Sequence, residues 1–111
     1  MILVDEVDDW FVKLPKDDAE RVAGAIDQLA EHGPMLGRPT ADTITGSTLP
    51  NLKELRPGSI RILFCFDTRR QAILLVAGDK AGQWQKWYDE NIPIAEQRFA
   101  KWEVGGYDEE R

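Results

Sequence analysis

Apolar positions along this chain follow two periods, and the change between them divides the fold. From residue 5 to 14, Val7, Trp10, Phe11 and Leu14 recur three or four apart among Asp5, Glu6, Asp8 and Asp9. That spacing predicts an amphipathic helix with its carboxylates at the dipole-positive end. Pro15 stops it, and Asp17 or Asp18 is placed to cap the next helix. The second stripe is Val22, Ala23, Ile26, Leu29 and Ala30, and it closes at His32-Gly33-Pro34. Beyond Leu49 the period becomes two. Ile60, Ile62, Phe64 and Phe66 alternate with Arg61, Leu63 and Cys65, and a second apolar run follows from Ala72 to Ala77. These are strands of an antiparallel meander.

Met1 to Val4 reads as a short first strand, and another short strand falls near Thr43 to Thr45. Pro57-Gly58 suits the central positions of a type II turn, which sets Leu55 opposite Ile60 and Glu54 opposite Arg61. A bulge at this turn would displace that pairing by one residue. With that register, Leu55, Ile60, Ile62, Phe64 and Phe66 point to one face, and Glu54, Arg56 and Arg61 to the other. Charge in the middle of a sheet needs a reason, so the second face is the candidate functional face. After the meander, Ala81 to Glu90 predicts a helical turn or two carrying Trp84, Trp87 and Tyr88. Pro93 suits a helix's first position, ahead of Ile94, Ala95, Arg98, Phe99 and Trp102.

The fold class is therefore α+β: a small antiparallel sheet with two N-terminal helices on one face and a C-terminal helix. A chain of 111 residues makes one domain. That domain is assigned to residues 1–104, and 105–111, with Gly105-Gly106 and Asp108-Glu109-Glu110, to an acidic tail expected to fray.

Composition changes the picture in two places. The net charge is −6, but it is unevenly spread: residues 51–102 carry 9 basic and 6 acidic side chains, and residues 1–50 carry 4 and 10. The sheet segment is a basic island in an acidic chain, a pattern that ordinary surface variation also produces. The single cysteine, Cys65, sits within an apolar run and reads as a small buried hydrophobe. No apolar run approaches a membrane span and no signal segment is visible, so a reducing cytoplasm is the expected location. His32 is the only histidine, which excludes a histidine dyad or a His-rich metal site. The acidic first helix reads as a solvated face, and no metal or other cofactor is expected.

Three stretches together resemble a known family: "EHGPMLGRP", "NLKELRPGSIRILFCFD" and "AILLVAGDKAGQWQKWYDENIPIAEQRF". They are similar to the HigB branch of the RelE-type toxins of bacterial toxin–antitoxin pairs, over about residues 4–102. The resemblance implies an endoribonuclease that cuts mRNA on the translating ribosome, held inactive by a cognate helix-turn-helix antitoxin. Oligomerisation through the antitoxin complex would follow.

Metal-free RNA cleavage needs a base for the 2′-OH, cations for the phosphorane and an acid for the 5′-oxygen. The resemblance puts Arg61 at the phosphate, where a guanidinium fork matches two oxygens. Lys80 and Arg56 are further cations, and Tyr88 is a base-stacking or proton-donating residue. Trp84 and Trp87 compete for the stacking role. Glu54 stands where better-known relatives have lysine. It is either the general base or a cross-strand partner of Arg61. Lys53 points by parity toward the core and snorkels to an edge. Two other classes remain open: a toxin of this fold that poisons a protein such as DNA gyrase, and an inactive antitoxin-binding module.

Overall fold

The computed structural model describes residues 1–108; Glu109, Glu110 and Arg111, the end of the predicted tail, lie outside the described residues. The strands are β1 (Ile2–Leu3), β2 (Ala41–Thr43), β3 (Lys53–Leu55), β4 (Ile60–Phe66) and β5 (Ala72–Asp79). The helices are α1 (Asp5–Val12), α2 (Lys16–His32) and α3 (Trp84–Glu103). One sheet has the order β1-β5-β4-β3-β2. All pairings are antiparallel except β1 on β5, where Ile2 lies beside Ile73 and Leu3 beside Leu74. The α+β class follows, with one parallel edge.

The faces are as the alternation predicts, but the register is not. Leu55 pairs with Ile62 and Glu54 with Leu63, two residues beyond the expected partners. The turn runs Pro57 to Ile60, closed by Ile60 N–H on the Pro57 carbonyl at 3.0 Å, with Gly58 at φ 62°. Pro57 is thus the turn's first corner and not a central residue. An even slip leaves every side chain on its predicted face. Between β4 and β5, Leu63 pairs with Val76 but Phe64 with Leu74, so Leu75 is the extra residue of a bulge. Arg98 of α3 donates to the Leu75 carbonyl at 2.9 Å.

Val7, Val22, Ala25 and Leu29 from α1 and α2 join the core with Leu55, Ile62 and Phe64. Ala25 replaces Ala30, which is exposed, in the predicted stripe. The start of α2 also differs. Pro15 is the N-cap and no side chain caps the helix, so neither Asp17 nor Asp18 takes that role. They lie in the first turn, where they complement the dipole, and Asp18 also pairs with Arg21 at 3.3 Å.

The largest departure is α3. One helix runs through Pro93, where two pieces were expected. An interior proline costs about 3 kcal/mol. Burial of Trp87 before it and Ala95 after it holds the two halves in line, and Asn91 Nδ2 donates to the Trp87 carbonyl at 2.8 Å. This helix covers the charged face of the sheet: all of Ile60 to Cys65 is buried. The face expected to be open is roofed.

Part of the expected tail is packed as well. Tyr107 is 4% exposed, its hydroxyl 3.4 Å from Glu6 and its ring 4.2 Å from the Lys101 ammonium. Fraying does not apply to it.

Candidate functional site

The site is built where the start of α3 crosses β3, β4 and the end of β5. Arg61 lies opposite Gly78 in the β4–β5 ladder. Gly78 carries no side chain because Trp87 occupies that space: a Cβ there would meet the indole Nε1 at 2.9 Å. Seating Trp87 so deeply brings its neighbour Tyr88 down onto β3. The Tyr88 hydroxyl donates to Glu54 Oε1 at 2.6 Å. The Lys80 ammonium lies 3.4 Å from that hydroxyl as its donor. Arg61 Nε stands 3.5 Å from the same Glu54 oxygen, and Arg56 Nε 3.9 Å from the other. Glu54 is thus the centre of the group, between two guanidiniums and a phenol.

Burial decides what each group can do. Glu54, Arg61 and Lys80 are each 6–7% exposed. Arg61 spends Nη1 on the carbonyls of Gly58 (2.7 Å) and Ile60 (2.8 Å), and its Nε faces Glu54 as an ion pair without hydrogen-bond geometry. It pins the β3–β4 turn and neutralises Glu54, and the expectation of an open phosphate-gripping fork is not met here. Of the two roles left open for Glu54, the geometry carries the pairing with Arg61, reached diagonally because Leu63 stands directly opposite; the same carboxylate accepts from Tyr88. Burial, reinforced by the Arg61 charge, holds the Lys80 ammonium below the usual lysine range, against the pull of Glu54. Burial and the bond to Glu54 push the Tyr88 phenol up, so it is neutral at physiological pH. Asp79, beside Lys80, is held low by the Ala81 N–H and the Ser59 hydroxyl.

Trp84 is 68% exposed, with the Lys80 ammonium 4.2 Å from its ring. Its φ of 34° is a left-handed conformation that non-glycine residues rarely adopt. Trp87, in contrast, is 4% exposed and offers no free ring for stacking; its expected role as an RNA contact gives way to packing. Lys53 does snorkel: its ammonium reaches the Pro34 carbonyl at 3.3 Å and lies 6.0 Å from the Phe66 ring, far from Glu54's face. Arg56, one-third exposed, also faces Asp42 at 3.8 Å, and Arg38 holds Asp42 more closely. Among the described residues no group of three or more His, Cys, Asp or Glu could hold a metal ion. Cys65 is buried, and burial pushes its thiol up to about 12.

Sequence reasoning missed the residues beside the cluster. A cavity of about 220 Å³ opens between the β2–β3 connection and α3, lined by Thr43, Thr45, Glu54, Gln85, Tyr88 and Ile92. It continues into a second of about 350 Å³ reaching Asp89 and Glu96. The i, i+4 spacing of Gln85 and Asp89 flanking Tyr88 was a usable signal.

A small, mostly antiparallel sheet with α3 laid across one face is the RelE-like fold. The antitoxin–toxin complex RelB–RelE of Methanococcus jannaschii has that fold. Its match has a TM-score of 0.62 at 13% identity, over 81% of this chain and 98% of that one. The profile of the family described as "Phage derived protein Gp49-like (DUF891)" matches residues 9–100. A Mycobacterium tuberculosis protein named "Putative toxin HigB3" is 57% identical over 104 residues, covering 92% of this chain and 91% of its own. "Putative toxin HigB2" of the same organism is 50% identical over 103 residues, 88% of this chain but 51% of its own length. The chain belongs to the Gp49-like family and is a HigB-type, RelE-like toxin of a toxin–antitoxin system.

Proposed function

We propose that this toxin is an endoribonuclease that cuts mRNA on the translating ribosome, without a metal ion, in the cytoplasm. One observation carries the reading: the Lys80 ammonium joins an exposed Trp84 ring to the Tyr88–Glu54 hydrogen bond. A base stacked on Trp84 would bring its phosphate beside Lys80. The 2′-OH then gives its proton to the Tyr88 oxygen as the phenol proton passes to Glu54. Tyr88 stays neutral throughout, as its raised pKa requires, and Glu54 ends protonated. Lys80, whose ammonium is held below the usual range and so gives up its proton more readily, protonates the departing 5′-oxygen. Arg56 adds charge to the phosphorane, and Arg61 is a positioning residue behind Glu54.

The roof over Glu54 and Lys80 supports the proposed dependence on the ribosome. Free RNA has little access to either group, and holding the 2′-oxygen in line can supply about 7–11 kcal/mol. An antitoxin partner, of helix-turn-helix type, is part of the same proposal; the RelE neighbour is itself bound to RelB. Primer extension on mRNA, with and without programmed ribosomes, is the test. Cuts confined to the ribosome-containing reaction are expected. Equal cutting of naked mRNA would overturn ribosome dependence. No cutting in either reaction by a growth-arresting protein would turn the reading toward a poison of a protein target.

A further inference from the structure

The cavity beside Glu54 shares Glu54 and Tyr88 with the reaction just described, but its other lining residues take no part in that reaction. Its two compartments share Thr45, Gln85, Tyr88 and Ile92, and no lysine or arginine lines either one. A phosphate has nothing to hold it there. Ile92 and the Tyr88 ring give it an apolar wall, and α3 presents Gln85 and Asp89 along its rim. Gln85 Nε2 donates to Asp89 Oδ1 at 3.0 Å, which orients the pair and fixes the amide nitrogen toward the carboxylate. One Gln85 N–H, the second lone pair of Asp89 Oδ1 and both of Oδ2 remain for a ligand.

We propose that this cavity is a base-recognition subsite and that its occupant is a guanine of the single-stranded substrate. Guanine's Watson–Crick edge carries two adjacent N–H donors and one carbonyl acceptor. A carboxylate accepts both donors side by side, and the Gln85 amide donates to the carbonyl. Adenine and cytosine each offer only one amino group beside a ring acceptor, and that acceptor would face the Asp89 carboxylate unpaired. Uracil offers a single N–H between two carbonyls, one of which meets the same repulsion. Single-stranded RNA is read in this way, on splayed bases with aromatic neighbours. The division of charge sets the polarity: the backbone runs on the Lys80–Trp84 side, and the base turns away from it, past Tyr88.

The inference rests on the nuclease reading for its biological meaning, but its test has two arms. In the first, isotope-labelled protein is titrated with each of the four nucleosides, which carry no phosphate. Guanosine is expected to move the Gln85 side-chain amide signals, and Asp89→Asn to weaken that binding at least tenfold. In the second, cut sites are mapped across a transcript pool with programmed ribosomes. Wild type is expected to favour guanine at one fixed offset from the cut, and Asp89→Asn to lose that preference at least tenfold. Guanosine shifts at Gln85 without cleavage would keep the subsite and overturn the nuclease. Cleavage with equal response to all four nucleosides, and an unchanged pattern in Asp89→Asn, would overturn the subsite and keep the nuclease.

Discussion

The Tyr88 hydroxyl and the Glu54 carboxylate, 34 residues apart in sequence, share a 2.6 Å hydrogen bond that ties α3 to β3. Everything charged at the site is arranged around it. Two further contacts hold the same helix. Glu96 accepts from the Ser47 hydroxyl and the Thr48 N–H, at 2.8 and 2.7 Å, and these bonds hold its carboxyl low. Arg98 pairs with Glu6 at 3.3 Å. The roof over the charged face is therefore clasped along its length.

Glu54→Ala should destabilise the fold as well as the site. It removes the buried partner of Arg61 and leaves a guanidinium whose Nε has no other acceptor among the described residues. Breaking a buried pair from one side costs about 3–5 kcal/mol. Urea denaturation is the measurement, and a loss below about 1 kcal/mol would contradict the buried pair.

Gly78→Ala tests the seating of Trp87. The new methyl would lie 2.9 Å from the indole nitrogen, and a ring buried to this degree cannot swing away freely. Overpacking of this kind costs about 1–3 kcal/mol. Because Tyr88 follows Trp87, the Tyr88–Glu54 bond should lengthen with it. A crystal structure of the variant with Tyr88 unmoved would refute the coupling.

The strand faces were legible in the sequence because alternation survives any even slip; the two-residue error in the β3–β4 register moved no side chain across the sheet. What alternation cannot report is coverage. Arg61 lay on the predicted face, yet its burial depends on a helix that was expected to end before Pro93. The local cost of that proline was visible, and the packing of Trp87 and Ala95 on either side of it was not. Gly78 and Trp87 were both readable, but their meeting requires the tertiary fold. Tyr107 was hidden for the opposite reason: glycines and acidic residues around it suggest fraying, and one buried ring outweighs them.

Tyr107 predicts an alkaline limit to stability. Burial and the nearby Glu6 carboxylate push its phenol up to about 12, from about 10 in the unfolded chain. A raised tyrosine pKa means the folded state keeps a proton that the unfolded state has lost. Its contribution is complete below pH 10 and disappears between about pH 10 and 12. Two pK units correspond to at most about 3 kcal/mol. Tyr88 adds to the loss above pH 10, whereas Lys80, held low, favours the fold as pH rises toward its own unfolded value. Tyr107→Phe should flatten the decline over that window. An unchanged slope in the variant's stability against pH would show that Tyr107 titrates normally.

Trp84→Ala separates function from folding. The ring is 68% exposed, so its loss creates no cavity, and alanine also relieves little or nothing in the core. What it removes is the stacking platform above Lys80 and the cation–π contact at 4.2 Å. Stacking of one base on an aromatic side chain is worth about 1–3 kcal/mol. The expected result is a protein that unfolds within about 0.5 kcal/mol of wild type, as surface substitutions do. Its ribosome-dependent cleavage should fall by roughly 5- to 150-fold, the same energy read as a rate. Trp84→Phe keeps an aromatic face and should recover part of the loss. If Trp84→Ala cuts as fast as wild type, the base does not stack there, and the path of the RNA past Lys80 must be drawn differently.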